Sequence, residues 1–170
     1  MDSQISDVVK RVRDDIKKLK DAKAHFRVNT TLINGFHVEA SVRGFKLTID
    51  EPESLGGSNK GPNPVELLLI SLGSCQCIVF QVYASELGIN IKRLSVTVDG
   101  ELDPKGFLGI SQVQAGFTDI KYTIDIETDA DPERVKRLKE LVELHCPVLS
   151  TLTTPAKITS SLRVNGEVVY

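Results

Sequence analysis

The sequence is short of cysteine, has no block of basic residues and carries none of the common signatures of phosphate, zinc-protease or serine-hydrolase chemistry. Three cysteines in 170 residues make no disulfide framework in a reducing compartment, which leaves packing or redox chemistry as their uses. A formal net charge of −2 without a basic tract offers nothing to nucleic acid or to an acidic membrane surface, so neither is expected as a partner. The absence of a glycine-rich phosphate loop, of H-E-x-x-H and of a nucleophile elbow removes the usual nucleotide, metalloprotease and esterase readings. No secretory signal is expected either, because the opening MDSQISDVVKRVRDD is too charged for one; a cytoplasmic protein is the expectation. No internal repeat interrupts the chain, and its length suits one domain, 25–170, with a helical extension at 1–24.

What the sequence does have is one dominant stretch, Asn63 to Leu87, which holds two of the three cysteines. Asn63 is a good N-cap, Pro64 suits the first helical position, and Glu66 falls three residues after the cap, so the start of a helix is spelled out. Gly88 supplies the stop. Between Leu67 and Ser85 no residue carries a formal charge, so the helix is apolar nearly all round and is expected to be buried. A run of this length also reaches the lower bound for a membrane span. Ser71, Ser74, Gln76 and Gln81 interrupt it and basic flanks are missing, which favours the central helix of an α+β domain.

Around that helix the text alternates. Ile5, Val8, Val9, Val12, Ile16 and Leu19 recur at spacings of three and four, an amphipathic helix over 4–23. Phe26 to Ile33, Phe36 to Val42 and Phe45 to Ile49, broken by Asn34-Gly35 and Gly44, read as a three-stranded antiparallel meander. Asp50 to Pro62 is dense in Gly, Pro, Ser and Asn and is a loop long enough to form a lip over a pocket. Two half-buried strands, 92–101 and 116–128, precede a second helix that Asp131 caps and that runs to about Leu144. Pro147 forces a break at Cys146 and opens a short helix, and the chain closes with a strand over 157–164 and an apolar tail after Asn165-Gly166.

Cys75 and Cys77 lie about 200° apart around the central helix, so at most one of them faces any given pocket; Cys77 is read as packing. Cys146, at a helix N-cap, meets the conditions that favour thiolate, with His145 adjacent; the rival reading is an ordinary cap. A cysteine on a buried helix and another at a helix mouth suit a pair that reacts and then resolves as a disulfide. The competing constellation is a zinc site from Cys75, Cys77, His145 and Cys146, against which stands the splay of a C-x-C inside a helix. No metal and no cofactor are expected.

The motif G-P-N-P-x-E-L-L-L…G-S-C, Gly61 to Cys75, and the later H-C-P-V…T-L, His145 to Leu152, resemble the two cysteine motifs of the OsmC/Ohr family, the osmotically inducible and organic hydroperoxide resistance proteins. The resemblance covers about Phe26 to Val164, and the element order agrees. It implies an OsmC-like α+β fold, antiparallel sheets around a long buried central helix, in an intertwined homodimer with a thiol peroxidase site at the interface. Cys75 would attack a hydroperoxide and Cys146 would resolve the sulfenic acid, with recycling by a dithiol reductant, a lipoyl protein or a thioredoxin-like one. Two departures qualify the match. Better-characterised members carry Glu directly after N-P, where this chain has Val65 and then Glu66. They pair it with an Arg from the first hairpin, at the place of Ile33; the nearest basic substitutes are Arg27 and Arg43, and Arg43 is the chosen candidate beside Glu66. The alternative these departures favour is a non-enzymatic domain of the same fold that binds a small apolar ligand or senses redox state.

Overall fold

Glycine at each two-residue corner, and β-branched residues between the corners, give the first half of the chain its sheet; the first corner is Gly35-Phe36, one residue beyond the expected Asn34-Gly35, because Asn34 still pairs with His37. In the computed structural model, which describes residues 2–170 and the side chains from Ile5 onward, β1 (Asn29–Asn34), β2 (His37–Val42) and β3 (Phe45–Ile49) form an antiparallel sheet in the order β1-β2-β3. Its register pairs Val38 with Ile49, Ala40 with Leu47 and Val42 with Phe45. The β2–β3 corner is made by Arg43 and Gly44, both at positive φ (50° and 91°), the backbone that matches the twist of a tight hairpin.

The loop that follows contains one 3₁₀ turn, Glu53–Leu55, and closes on itself. Asp50 is its organiser: its buried carboxylate accepts from the N–H groups of Glu51 (2.9 Å), Ser58 (3.1 Å) and Lys60 (3.3 Å). Two glycines are obligatory here for space. A Cβ on Gly57 would lie 1.8 Å from the Glu51 carbonyl oxygen, and one on Gly61 would lie 2.2 Å from that of Thr48.

The central helix α2 (Pro64–Leu87) begins and ends where its caps dictate. Glu66 N–H donates to Asn63 Oδ1 (2.9 Å), Asn63 N–H donates to Glu66 Oε2 (2.8 Å), and Gly88 turns the chain out at φ 59°. Leu72, Gly73, Gln76, Phe80 and Ala84 form its buried face. Gly73 lets β4 (Ile91–Glu101) approach, since a Cβ there would stand 3.2 Å from the Val98 side chain. The expectation of a helix buried all round is corrected: within one chain, Leu68, Ile70 and Ile78 on the other faces stay exposed, Ile78 at 65%. Among the described residues only β4 and α4 (Pro132–His145) reach α2 in strength, with α1 (Asp2–Lys17) and α5 (Pro147–Thr153) touching it locally, so one side has no layer over it there. By length and composition alone α2 could also cross a membrane.

β4 (Ile91–Glu101) and β5 (Asp119–Thr128) form a long antiparallel pair, with Leu94 opposite Ile126, Val96 opposite Ile124 and Val98 opposite Tyr122. A short helix α3 (Pro104–Phe107) joins them. α4 (Pro132–His145) packs with α2 and this pair to make the core of Phe80, Ala84, Ile89, Leu138 and Val142. α5 (Pro147–Thr153) follows at once, and a two-residue hairpin, β6 (Arg163–Val164) with β7 (Glu167–Val168), ends the chain around Asn165-Gly166.

Several boundaries differ from expectation: β1 and β5 each begin three residues later, at Asn29 and Asp119, and larger changes fall at the two ends of the chain. α1 (Asp2–Lys17) ends before Lys23, because past Ile16 only Leu19 remains to hold a further turn and it is itself exposed. The strand expected over 157–164 shrinks to β6, which Leu162 prolongs by its backbone bonds with Val169 and Tyr170; among the described residues no strand pairs with 157–161.

Candidate functional site

α2 delivers Cys75 and the α4–α5 junction delivers Cys146 to the same place: the two sulfurs are 3.2 Å apart, both thiols free. The junction is tightly determined. Cys146 N–H ends α4 by donating to the Val142 carbonyl (2.8 Å), and its own carbonyl accepts from Ser150 N–H (2.9 Å) to begin α5. The extended backbone that Pro147 requires of Cys146 lies between. Cys146 is fully buried and Cys75 half-buried, so a reagent meets Cys75 first.

Both sulfurs lie at the opening turn of α5. Leu149 N–H donates to Cys146 Sγ (3.5 Å), the cap expected from sequence, and the backbone N–H of Val148 favours the Cys75 anion. The Cys75 thiol nevertheless ionises above its ordinary range. Burial is the largest cause, the neighbouring Cys146 thiol adds to it, and the Val148 N–H only partly offsets them. A cleft of about 250 Å³ opens between β5 and α5, where Leu72, Phe117, Leu149 and Leu152 meet the polar Thr118, Asp119 and Thr153; neither cysteine lines it.

The structure does not bring the two polar candidates to this pair within one chain. Glu66 is engaged in the α2 capping box. It precedes Cys75 by nine residues, about 13 Å along the axis and half a turn away. Arg43 stands at the β2–β3 corner with its guanidinium 5.4 Å from the centroid of the Phe45 ring. Cys77 is half-buried on its own side of α2. Among the described residues no cluster of three or more metal-ligating side chains forms, so Cys75, Cys77, His145 and Cys146 do not converge as a zinc site.

Three neighbours escaped the sequence reading. Tyr122 OH donates to Glu143 (2.7 Å), which also accepts from Lys139 (2.5 Å). This pins the last turn of α4, and so Cys146, against β5. Burial and the Glu143 charge hold the Tyr122 hydroxyl far above its usual ionisation. Burial pushes the Glu143 carboxyl upward, but the bonds from Lys139 and Tyr122 outweigh it and hold the group low. The Tyr83 ring stacks on His145, centroids 5.2 Å apart and planes within 19°. Gln76, beside Cys75 in sequence, is wholly buried with neither end of its amide paired among the described residues. Only the half-burial of β5, which turns Tyr122 inward, was a signal for any of these.

The pattern of the OsmC-like protein family matches residues 57–161, more than half of the chain and the whole span of both cysteine motifs. The chain belongs to this family. Its fold is similar to that of an OsmC-like protein from Mycoplasma pneumoniae, at TM-score 0.68 and 22% identity over 78% of this chain and 90% of that one. It is also similar to organic hydroperoxide resistance proteins from Legionella pneumophila (TM-score 0.56, 19% identity, 78% and 93% covered) and Elizabethkingia anophelis (TM-score 0.58, 17% identity, 81% and 93% covered). No curated protein matches the sequence.

Proposed function

We propose that the protein is a thiol peroxidase that reduces organic hydroperoxides, or hydrogen peroxide, through Cys75 and Cys146. The observation that carries this reading is the 3.2 Å separation of the two sulfurs, with one thiol reachable and the other buried behind it, in a chain of the OsmC-like family. The similar folds of proteins named for organic hydroperoxide resistance support it.

In the proposed reaction the Cys75 thiolate attacks the terminal oxygen of R–O–O–H. The S–O bond forms as the O–O bond breaks, the alkoxide takes a proton and leaves as the alcohol, and Cys75 is oxidised by two electrons to the sulfenic acid. The Cys146 thiolate then attacks that sulfur and expels hydroxide, which leaves as water. The resulting disulfide is reduced by exchange with an external dithiol, which departs as its own disulfide. The working assembly is an intertwined homodimer. It would cover the exposed side of α2 and the exposed apolar residues of the meander, Leu32, Phe45 and Leu47 among them. Glu66 and Arg43 would support the cysteine pair from the second copy.

A non-enzymatic reading, ligand binding or redox sensing, is favoured by the raised ionisation of Cys75. Mass spectrometry of a non-reduced digest after one equivalent of cumene hydroperoxide separates the two. A Cys75–Cys146 linked peptide, together with dithiol-dependent peroxide loss that vanishes in Cys75→Ser, is the expected result. Thiols that stay unmodified would overturn the peroxidase reading.

A further inference from the structure

α1 lies outside the segment that matches the family, yet it reaches the cysteine site by a stack of three side chains. Arg13 is held by an ion pair with Glu86 on the last turn of α2 (2.6 Å). Its guanidinium lies over the Tyr83 ring, 5.5 Å from the centroid. Tyr83 in turn stacks on His145, which is the last residue of α4 and the one before Cys146. Guanidinium, phenol and imidazole thus form a continuous column from the N-terminal helix to the cysteine at the α4–α5 break.

Such a column has a mechanical consequence. The backbone at Cys146 leaves α4 in an extended conformation, so the rotation of that residue depends on what fixes the final turn of α4. Glu143 is fixed from the β5 side by Tyr122. On the other side, among the described residues, it is the Tyr83 ring that meets His145, and Arg13 clamps Tyr83 from above. Planar stacking of this kind orients its partners, and Arg supplies a flat, always charged face that Lys cannot.

We propose that α1 is a clamp for Cys146: Arg13, through Tyr83 and His145, is a positioning residue that sets the Cys146 sulfur against Cys75. The inference deepens the reading of the site as a thiol–disulfide pair, and its test is independent of peroxide. In a glutathione redox buffer the two thiols give two electrons and two protons to glutathione disulfide, forming the Cys75–Cys146 bond and two glutathione thiols. The equilibrium constant measures how well the sulfurs are held together.

The full-length chain is equilibrated in that buffer, quenched and scored by mass for the intramolecular disulfide. Arg13→Ala and Tyr83→Leu are expected to lower the constant by about tenfold, the scale of one stacked aromatic pair. Arg13→Lys, which keeps charge near Glu86 but not the flat face, is expected to fall between. Tyr83→Phe, which keeps the ring, should match the wild type, and circular dichroism should report an intact fold in all four. Constants that do not change in Arg13→Ala and Tyr83→Leu would overturn the clamp, as would a wild-type chain that forms no internal disulfide at any buffer ratio. Peroxide that fails to oxidise Cys75 would count against the enzyme alone.

Discussion

The Cys75 thiol sits in a half-buried site where, among the described residues, help to its anion comes from the Val148 backbone N–H. With its ionisation pushed upward, the fraction of thiolate at neutral pH is small and grows as the pH rises. Alkylation of Cys75 by iodoacetamide, followed by peptide mass, is therefore expected to keep accelerating beyond the ordinary thiol pKa of about 8.5, with no plateau there. A plateau near pH 7 would mean that a cation from a second copy reaches the sulfur. Tyr122 is the other residue with a measurable effect. Its hydroxyl donates to a carboxylate about one third exposed, so Tyr122→Phe is expected to destabilise the chain by about 1.5 kcal/mol in urea unfolding, the low end for a bond to a charge.

Among the elements, the loop between β3 and α2 depends most on one group. Burial pushes the Asp50 carboxyl up, but the N–H groups of Lys60, Glu51 and Ser58, with His37 nearby, outweigh that and hold it below the usual range. A lowered folded pKa means that the stabilisation is present above the unfolded value, about 3.9, and is lost as the pH falls through the folded one. Hydrogen exchange should therefore show the Ser58 and Lys60 amides protected at neutral pH and released under acid. Asp50→Asn should release them at neutral pH while the α2 amides keep their protection. Protected Ser58 and Lys60 amides in that variant would mean that the glycine-rich backbone holds the loop closed without the charge.

At the scale of the molecule, one chain leaves more apolar surface uncovered than its core explains. Among the described residues, the β1–β3 sheet and the far side of α2 have no layer over them, with Leu32 and Ile78 each at 65% exposure. A second copy is the occupant that the proposed function requires. Sedimentation equilibrium is expected to give twice the chain mass, and Ile78→Lys, a charge placed where burial would be needed, is expected to shift that to a folded monomer. A dimer unaffected by Ile78→Lys would put the contact elsewhere, and a monomeric wild type would remove the assembly from the proposal.

Local patterns determined a great deal. Asn63, Pro64, Glu66 and Gly88 set both ends of α2, because caps act through atoms three or four residues away. Asn165-Gly166 and Gly44 set their corners through φ alone. The two cysteine motifs were enough to name the family. What the sequence could not reach were pairings between distant positions. Cys146 meets Cys75 across 71 residues because α4 docks on α2; Tyr83 meets His145 through the same docking, while Tyr122 comes from β5 and Arg13 from α1. The face of α2 that stays uncovered was invisible for the converse reason. A uniformly apolar run states that it needs a cover on every side, but only the arrangement of the layers decides which side the chain covers for itself.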